Sequence, residues 1–499
     1  MLKAKTPALN PDAGATCDAS VLALLRCPVC GQSLARSAHG QVACSACAAS
    51  VQVHNGILDF VAGTASTQLD QIDYDRFYAI DENHARMTYD DIRTTAGRLW
   101  PADLGDALEI GCGTGGFSMA MLTRMPASRV VLTDVSLKML AICRDRLGRM
   151  TGLRPRSVNY ATYSGTQDCF RPGAFDTCFG TAVVHHVLDV PLFLRQVHRL
   201  LKPSGAAFFM EPNLRFHQAL TETLAEILAA WLREDTVPQA DISPMLNWMA
   251  EVHCNVVNTG DLDVLADRED KHLFTGEGFE AMAREAGFAS AEALACNPDP
   301  DGLRTIGAYL DQIGVGRETL TRLRSAWPSA AATRFGVLAP RDSAPSYVFW
   351  LKSGGRRQTA PARNRAVTGG LLAKDSPKEP PVRLWLALAL EQAERGLELV
   401  LDGWCLAPFP VRAVQVAVTG RRRRMPVWLP RPDVHAAINA DGAYPPLHSL
   451  CSGTRGRIAL EPADDGSAEV CVEIVAADGT VLPRGRVRLE PGGPQLLLQ

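Results

Sequence analysis

Three groups of residues in this chain have the type and spacing to do chemistry. Cys27-Pro28-Val29-Cys30 and Cys44-Ser45-Ala46-Cys47 form two C-x-x-C pairs. Each such turn aims two sulfurs the same way, and two turns can converge four thiolates on one tetrahedral zinc ion. A redox pair would be single and would stand beside a βαβ pattern. Four cysteines close the coordination sphere, so a metal at Cys27, Cys30, Cys44 and Cys47 would be structural rather than catalytic. The second group is Glu109-Ile110-Gly111-Cys112-Gly113-Thr114-Gly115-Gly116. Its glycines allow positive φ and let the backbone approach a ligand closely. The helix pattern that follows presents unpaired N–H groups to whatever is bound. The third is His185-His186, since histidine is the usual base near neutral pH.

These residues need elements to hold them. An apolar run, Ala107 to Ile110, reads as a strand feeding the glycine turn, and Phe117, Met119, Ala120, Met121 and Leu122 read as the apolar side of a helix. Val130-Val131-Leu132-Thr133-Asp134 reads as a second buried strand ending in an acid, about 20 residues past the glycines, the distance that sets a carboxylate on ribose hydroxyls. Gly173 to Gly180 and Ala206 to Asn213 read as two further strands, joined by a helix from Leu192 to Leu201 that Lys202-Pro203-Ser204-Gly205 should stop. Gly111, Gly113 and Gly116 also satisfy the dinucleotide pattern G-x-G-x-x-G. Glu109 favours a different ligand, because a carboxylate at a strand end suits one that carries an ammonium group.

E-x-G-x-G-x-G followed by a strand ending in Asp134 resembles the class I S-adenosylmethionine-dependent methyltransferases. The resemblance implies a Rossmann-like α/β sheet with cofactor contacts from Glu109, Gly111, Cys112, Gly113, Thr114, Gly115, Asp134 and Val135. The family often places an Asp before the fourth strand to bond the adenine amino group. Here that stretch reads Ser157-Val158-Asn159-Tyr160-Ala161-Thr162, so Asn159, Tyr160 or a backbone group would serve. His185, His186, Glu211 and Asn213 should gather at the carboxyl edge of the sheet, with His185 or His186 as base and His217 and His253 next in order. Asp73 to Tyr78 resembles a segment that lies over the cofactor in this family, or else docks a helix.

At 499 residues the chain exceeds one compact core. With 46% hydrophobic and 21% charged residues it has the composition of a soluble globular protein, and a net charge of −3 argues against a nucleic-acid footprint. Residues 1–20 have no apolar core and read as a disordered leader, no stretch approaches transmembrane length, and 14 cysteines point to a reducing compartment, so a cytoplasmic location is expected. Residues 21–62 form the expected zinc ribbon, similar to one that precedes the catalytic domain in some bacterial methyltransferases, one group of which methylates a guanine of ribosomal RNA. Residues 63–353 form the expected methyltransferase domain, with helical inserts near 214–270 and 300–330. The first insert starts at the active-site edge and reads as a lid. Residues 354–381 have linker composition. In 382–490, short apolar runs are separated by Gly, Pro and Asp turns, with Asp478-Gly479 as a hairpin signal, which predicts a β-sandwich. Its Asp402-Gly403-Trp404 and Arg431-Pro432-Asp433-Val434 resemble a sandwich appended to bacterial polysaccharide glycosyltransferases. Trp404 reads as core filler or a sugar platform. Arg356, Arg357 and the run Arg421 to Arg424 read as solvated loop charge that could touch phosphate.

The sequence therefore predicts methyl transfer from S-adenosylmethionine to a hydroxyl of a glycan precursor or other small molecule. The alternative acceptor is RNA, gripped by the ribbon. A non-catalytic scaffold is disfavoured by the intact Glu109, glycines and Asp134. Nothing in the sequence specifies an oligomeric state.

Overall fold

The computed structural model describes residues 19–36, 41–61, 82–234, 237–265, 268–354, 381–393, 396–418, 421–460, 468–489 and 496–498. The expected leader, the segment Asp73 to Tyr78 and nearly all of the expected linker lie outside the described residues. The chain divides into two compact units. One comprises Met1–Pro212, Phe274–Asn297 and Ser346–Arg363, and the other Asn213–Leu273, Pro298–Pro345 and Asn364–Gln499.

The first unit is an eleven-stranded sheet with helices on both faces. In chain order its strands are β1 (Leu34–Arg36), β2 (Val42–Cys44), β3 (Ser50–His54), β4 (Ile57–Asp59), β5 (Asp106–Ile110), β6 (Arg129–Asp134), β7 (Val158–Thr162), β8 (Phe175–Thr181), β9 (Leu201–Pro212), β10 (Ser290–Cys296) and β11 (Ser346–Lys352). Their order across the sheet is β1-β2-β3-β4-β7-β6-β5-β8-β9-β11-β10. The pairs from β4 to β9 are parallel, and β11 lies antiparallel between β9 and β10.

Parallel strands are covered on both faces, so they read as continuous apolar runs. Alternate residues then serve two cores. Leu108, Val131, Cys178 and Phe209 enter one; Ala107, Leu132, Phe179 and Phe208 enter the other. Helices Val190–Leu200 and Gly276–Glu285 cover the first face, and Glu82–Ala96, Gly116–Leu122 and Leu137–Leu147 the second.

Two features of this unit depart from the expectations. The ribbon is not a separate module: Asn55 (φ +51°) and Gly56 (φ +83°) turn β3 into β4, and β4 pairs in parallel with β7, extending the parallel sheet. Lys202-Pro203-Ser204-Gly205 do more than follow the end of the helix at Leu200: they belong to β9 and bulge from it, its register on β8 jumping from Phe175↔Leu201 to Thr177↔Ala206. A bulge tolerates Pro203, which has no N–H to give.

In the second unit, helices Leu214–Glu234, Gln239–Asn258, Leu303–Gln312 and Arg317–Phe335 realise the predicted inserts. Ile313 to Gly316 separate the two helices of the second insert. Two four-stranded antiparallel sheets follow. One contains β12 (Arg383–Ala393), β13 (Gly396–Leu406), β16 (Gly453–Leu460) and β19 (Leu496–Leu498). The other contains β14 (Val411–Val418), β15 (Arg421–Pro426), β17 (Ala468–Ala476) and β18 (Val481–Leu489). Leu386, Leu388, Leu399 and Leu401 of the first share a core with Val414, Val416, Val472 and Ile474 of the second. Asp478-Gly479 turns β17 into β18 as expected. Arg421 to Arg424 lie on β15, not in a loop. Trp404 packs with Leu406, Val434 and Tyr444.

The division of domains also differs from expectation. The insert helices group with these sheets instead of the eleven-stranded unit. Leu447, Leu450 and Cys451 enter the same core as Phe216, Leu220, Met245 and Trp327.

Candidate functional site

The chain leaves β5 at Ile110 and turns through Gly111 (φ +70°), Gly113 (φ +54°) and Gly115 (φ +89°) into helix Gly116–Leu122. These glycines serve different ends. A Cβ on Gly111 would lie 2.3 Å from Val183 Cγ2, and one on Gly115 2.7 Å from Cys143 Sγ, so both allow close packing. A Cβ on Gly113 would meet nothing within 4 Å. The backbone there faces open space, which is where a ligand fits. The Cys112 N–H donates to Thr133 O at 2.8 Å, and burial beside Cys143 pushes the Cys112 thiol up. Thr114 Oγ1 accepts from Arg146 Nη1 at 2.8 Å. The Cys112 backbone and the Thr114 side chain thus hold the loop.

Two acids flank it. Glu109 is buried at the end of β5, and its Oε2 accepts from Ser118 Oγ at 2.7 Å. Burial pushes its carboxyl up to about 8; the Ser118 hydrogen bond opposes this and the Asp134 charge adds to it. Such a site keeps the proton until a cation arrives. Asp134 ends β6, with Oδ2 accepting from Gly113 N at 2.9 Å and Oδ1 from Ser136 N at 2.9 Å. Val135 is half-buried between them. The carboxylate therefore shapes the loop from the position expected of a ribose acceptor. Glu109 and Asp134 with an open face at Gly113 fit a nucleoside ligand that also carries a cation.

Asn159 and Tyr160 do not join this edge. In register, Asn159 lies opposite Val131 and Tyr160 opposite Leu132, whereas Thr162 lies opposite Asp134 at the carboxyl end. The Asn159 amide donates to Ser157 Oγ at 2.9 Å. The adenine assignment by sequence was set too early in the strand, because β7 runs on to Thr162.

On the other side of β5, Glu211 is buried near the end of β9. Its Oε1 accepts from Val183 N at 3.0 Å and Val184 N at 2.8 Å, and its Oε2 lies 2.7 Å from His185 Nδ1. Ala182 precedes this turn with φ +51°, an uncommon conformation for a residue with a side chain. Gly180 lets the turn close, since a Cβ there would lie 2.6 Å from Ile110 O. The His185 and His186 rings lie 3.9 Å apart between centroids. When Nδ1–H donates to the carboxylate, Nε2 becomes the basic nitrogen of His185.

The remaining candidates hold structure. Asn213 Nδ2 donates to Asp342 O and Ala344 O, each at 2.9 Å, and its Oδ1 accepts from Arg215 N at 3.0 Å. His217 Nδ1 is 2.8 Å from Asn213 O. Burial lowers His253 to about 3, which makes it a neutral core residue.

In the ribbon, Cys27 Sγ lies 3.6 Å from Cys47 Sγ and Cys30 Sγ 3.4 Å from Cys44 Sγ, with all four sulfurs within 4.8 Å of one another. A tetrahedral ion with bonds of about 2.3 Å needs sulfurs about 3.8 Å apart, so the set fits zinc. His54 stands apart, 3.5 Å from Asp59 Oδ2.

Parallel strands, a glycine turn after β5 and acids ending β5 and β6 define a nucleoside-binding α/β domain. Residues 108–207 match the family described as "Methyltransferase domain". The chain is 27% identical over 180 residues to the malonyl-[acyl-carrier protein] O-methyltransferase of Magnetococcus marinus, covering 36% of this chain and 61% of that protein. It is 32% identical over 130 residues to the ubiquinone biosynthesis O-methyltransferase of Rhizobium etli, covering 26% of this chain and 50% of that one. The chain thus spans about three fifths and one half of these relatives. Among solved structures, Haemonchus contortus phosphoethanolamine N-methyltransferase 2 aligns with TM-score 0.34 and 16% identity over 60% of each chain. The matched region is thus similar to methyltransferase domains.

Proposed function

We propose that the protein is an S-adenosylmethionine-dependent O-methyltransferase acting on a hydroxyl of a small molecule, glycan precursors included. The observation that carries this reading is the His185–Glu211 pair at 2.7 Å. When bound, S-adenosylmethionine supplies an activated methyl group. A neutral hydroxyl needs a base to accept it, and a carbon–sulfur bond breaks as the carbon–oxygen bond forms. His185 Nε2 takes the hydroxyl proton in that step, while Glu211 holds the imidazole and stabilises its charged form. Such a base contributes about 10²–10⁴-fold. Gly113 and Asp134 would hold the cofactor, and Glu109 would offset the charge of its cationic end. Two relatives named as O-methyltransferases support the acceptor atom.

We further propose that Cys27, Cys30, Cys44 and Cys47 hold one structural zinc. The ribbon then serves as an edge of the cofactor sheet, which removes the motive for an RNA acceptor. Among the described residues, no helix is long and apolar enough to cross a membrane.

The test is His185→Gln, with methyl transfer followed over a panel of hydroxylated small molecules. The variant should bind S-adenosylmethionine as the wild type does and lose about 10²-fold or more in kcat. Unchanged kcat would remove His185 from the mechanism, and activity on RNA alone would overturn the acceptor class.

A further inference from the structure

Helix Leu137–Leu147 is tied to the glycine turn near both of its ends. At its start, Asp134 Oδ1 accepts from Ser136 N, Ser136 Oγ caps the helix by accepting from Met139 N at 3.3 Å, and Asp134 Oδ2 accepts from Gly113 N. Near its other end, Cys143 and Arg146 stand three residues apart and so share a face. Cys143 Sγ occupies the space that a Cβ on Gly115 would need. Arg146 Nη1 donates to both oxygens of Thr114, at 2.8 Å to Oγ1 and at 3.2 Å to the carbonyl. With this turn taken as the S-adenosylmethionine site proposed above, we infer that Arg146 is a positioning residue for it, fixing Thr114 in the conformation that binds the cofactor.

The turn needs such a fixture because its own residues resist order. Gly111, Gly113 and Gly115 all take positive φ, and glycine loses more conformational freedom on ordering than any other residue. Backbone N–H groups supply part of the restraint: Cys112 N donates to Thr133 O, Gly113 N to Asp134 Oδ2 and Gly115 N to Cys112 O. Thr114 stands between Gly113 and Gly115. Among the described residues, Arg146 is the one hydrogen-bonding partner of its two oxygens. Thr114 is buried, so losing the guanidinium leaves both acceptors unpaired where water is scarce, and the turn gains by moving to expose them. A site that is competent for only a fraction of the time binds its ligand more weakly by that fraction. One nitrogen makes both bonds, a task that an ammonium of similar reach can also perform. Arg149 carries the same charge three residues further on, is exposed, and has no bond to the turn among the described residues.

The experiment measures S-adenosylmethionine affinity by calorimetry on the full-length protein, with melting temperatures alongside. Arg146→Gln should weaken binding about tenfold or more, because charge-assisted bonds are lost. Arg146→Lys should restore most of the affinity, and Arg149→Gln should stay within about twofold of the wild type, its charge being screened. Thr114→Val should weaken binding by itself, and by less in an Arg146→Gln background, since the two changes break the same contact. A guanidinium that serves only the helix end would lower the melting temperature of Arg146→Gln and leave its affinity at the wild-type value; that result overturns the proposal. Equal losses from Arg146→Gln and Arg149→Gln overturn it as well, because the effect would then be one of general charge. Should Arg146→Gln fail to fold, Thr114→Val decides, and unchanged affinity in that variant counts against the proposal. A wild type that binds no S-adenosylmethionine overturns the cofactor reading of the turn together with the role of Arg146, whereas binding that is indifferent to Arg146 and Thr114 overturns the role alone.

Discussion

Thr162 Oγ1 donates to Asp59 Oδ1 at 2.6 Å and accepts from Phe60 N at 2.8 Å and Val61 N at 3.0 Å. Thr162 lies opposite Asp134 in the sheet, and Asp59 ends the last ribbon strand, so the cysteine ribbon is bonded to the strand beside Asp134.

Removing the metal should therefore be felt in the cofactor site. Chelation should release about one zinc per chain and weaken S-adenosylmethionine binding several-fold, because β4 leaves β7 as an unpaired edge. Thr162→Val should weaken binding with the zinc retained and cost about 1–3 kcal/mol, since Asp59 and two N–H groups lose a partner. Elemental analysis and calorimetry on both proteins check this. Unaltered affinity after zinc loss would reduce the ribbon to an appendage.

Glu109 supplies a prediction with a definite sign in pH. Its carboxyl is raised to about 8 from the ordinary 4.5, so the folded chain binds a proton that the unfolded chain releases. Stability from this residue is present below about 4.5, falls as pH rises from there to about 8, and stays low above that. The cost is on the order of 5 kcal/mol at high pH. Glu109→Gln keeps an acceptor for Ser118 and removes the charge. Its melting temperature should exceed that of the wild type by a margin that widens up to about pH 8. It should also bind S-adenosylmethionine more weakly, and its affinity should not tighten between pH 7 and 8 as the wild type's should. Parallel melting curves for the two proteins across this range would contradict the burial argument.

The glycine turn, the strand ends and the cysteine cluster were legible in the sequence because their signals are local. Glycines at fixed offsets, an acid at each strand end and paired cysteines are set by turn geometry within a few residues, so the turn at Gly111, the strand ending at Asp134 and the cluster at Cys27 could be drawn from the sequence. What depends on distant contacts was not. Ser118 meets Glu109 only once the helix folds back over β5, and no periodicity marks it. Arg424 read as loop charge because four arginines carry no strand pattern, yet pairing with β14 makes them a strand. Asn159 was set at the ligand edge because the end of a strand cannot be fixed from its apolar run alone. The boundary near 354–381 was drawn from linker composition, which says nothing about what the preceding inserts pack against.

That boundary gives the last prediction. Composition alone suggests that a cut after Gly354 should leave both halves folded. The insert helices, however, share their core with the second half. Leu450 and Cys451 pack with Phe216, Leu220 and Met245, and Arg268 lies 4.8 Å over the Trp428 ring. Removing residues 355–499 uncovers that core, and each large apolar side chain returned to water costs about 1.5–3 kcal/mol. The shortened chain should keep its zinc and bind S-adenosylmethionine, since β5, β6 and the ribbon lie in the other unit. Helices Leu214–Glu234 and Gln239–Asn258 should lose protection from hydrogen exchange, and the protein should bind a hydrophobic dye. Full protection of those helices in the shortened chain would show that the inserts fold without the sheets, and the grouping of the second unit would then be wrong.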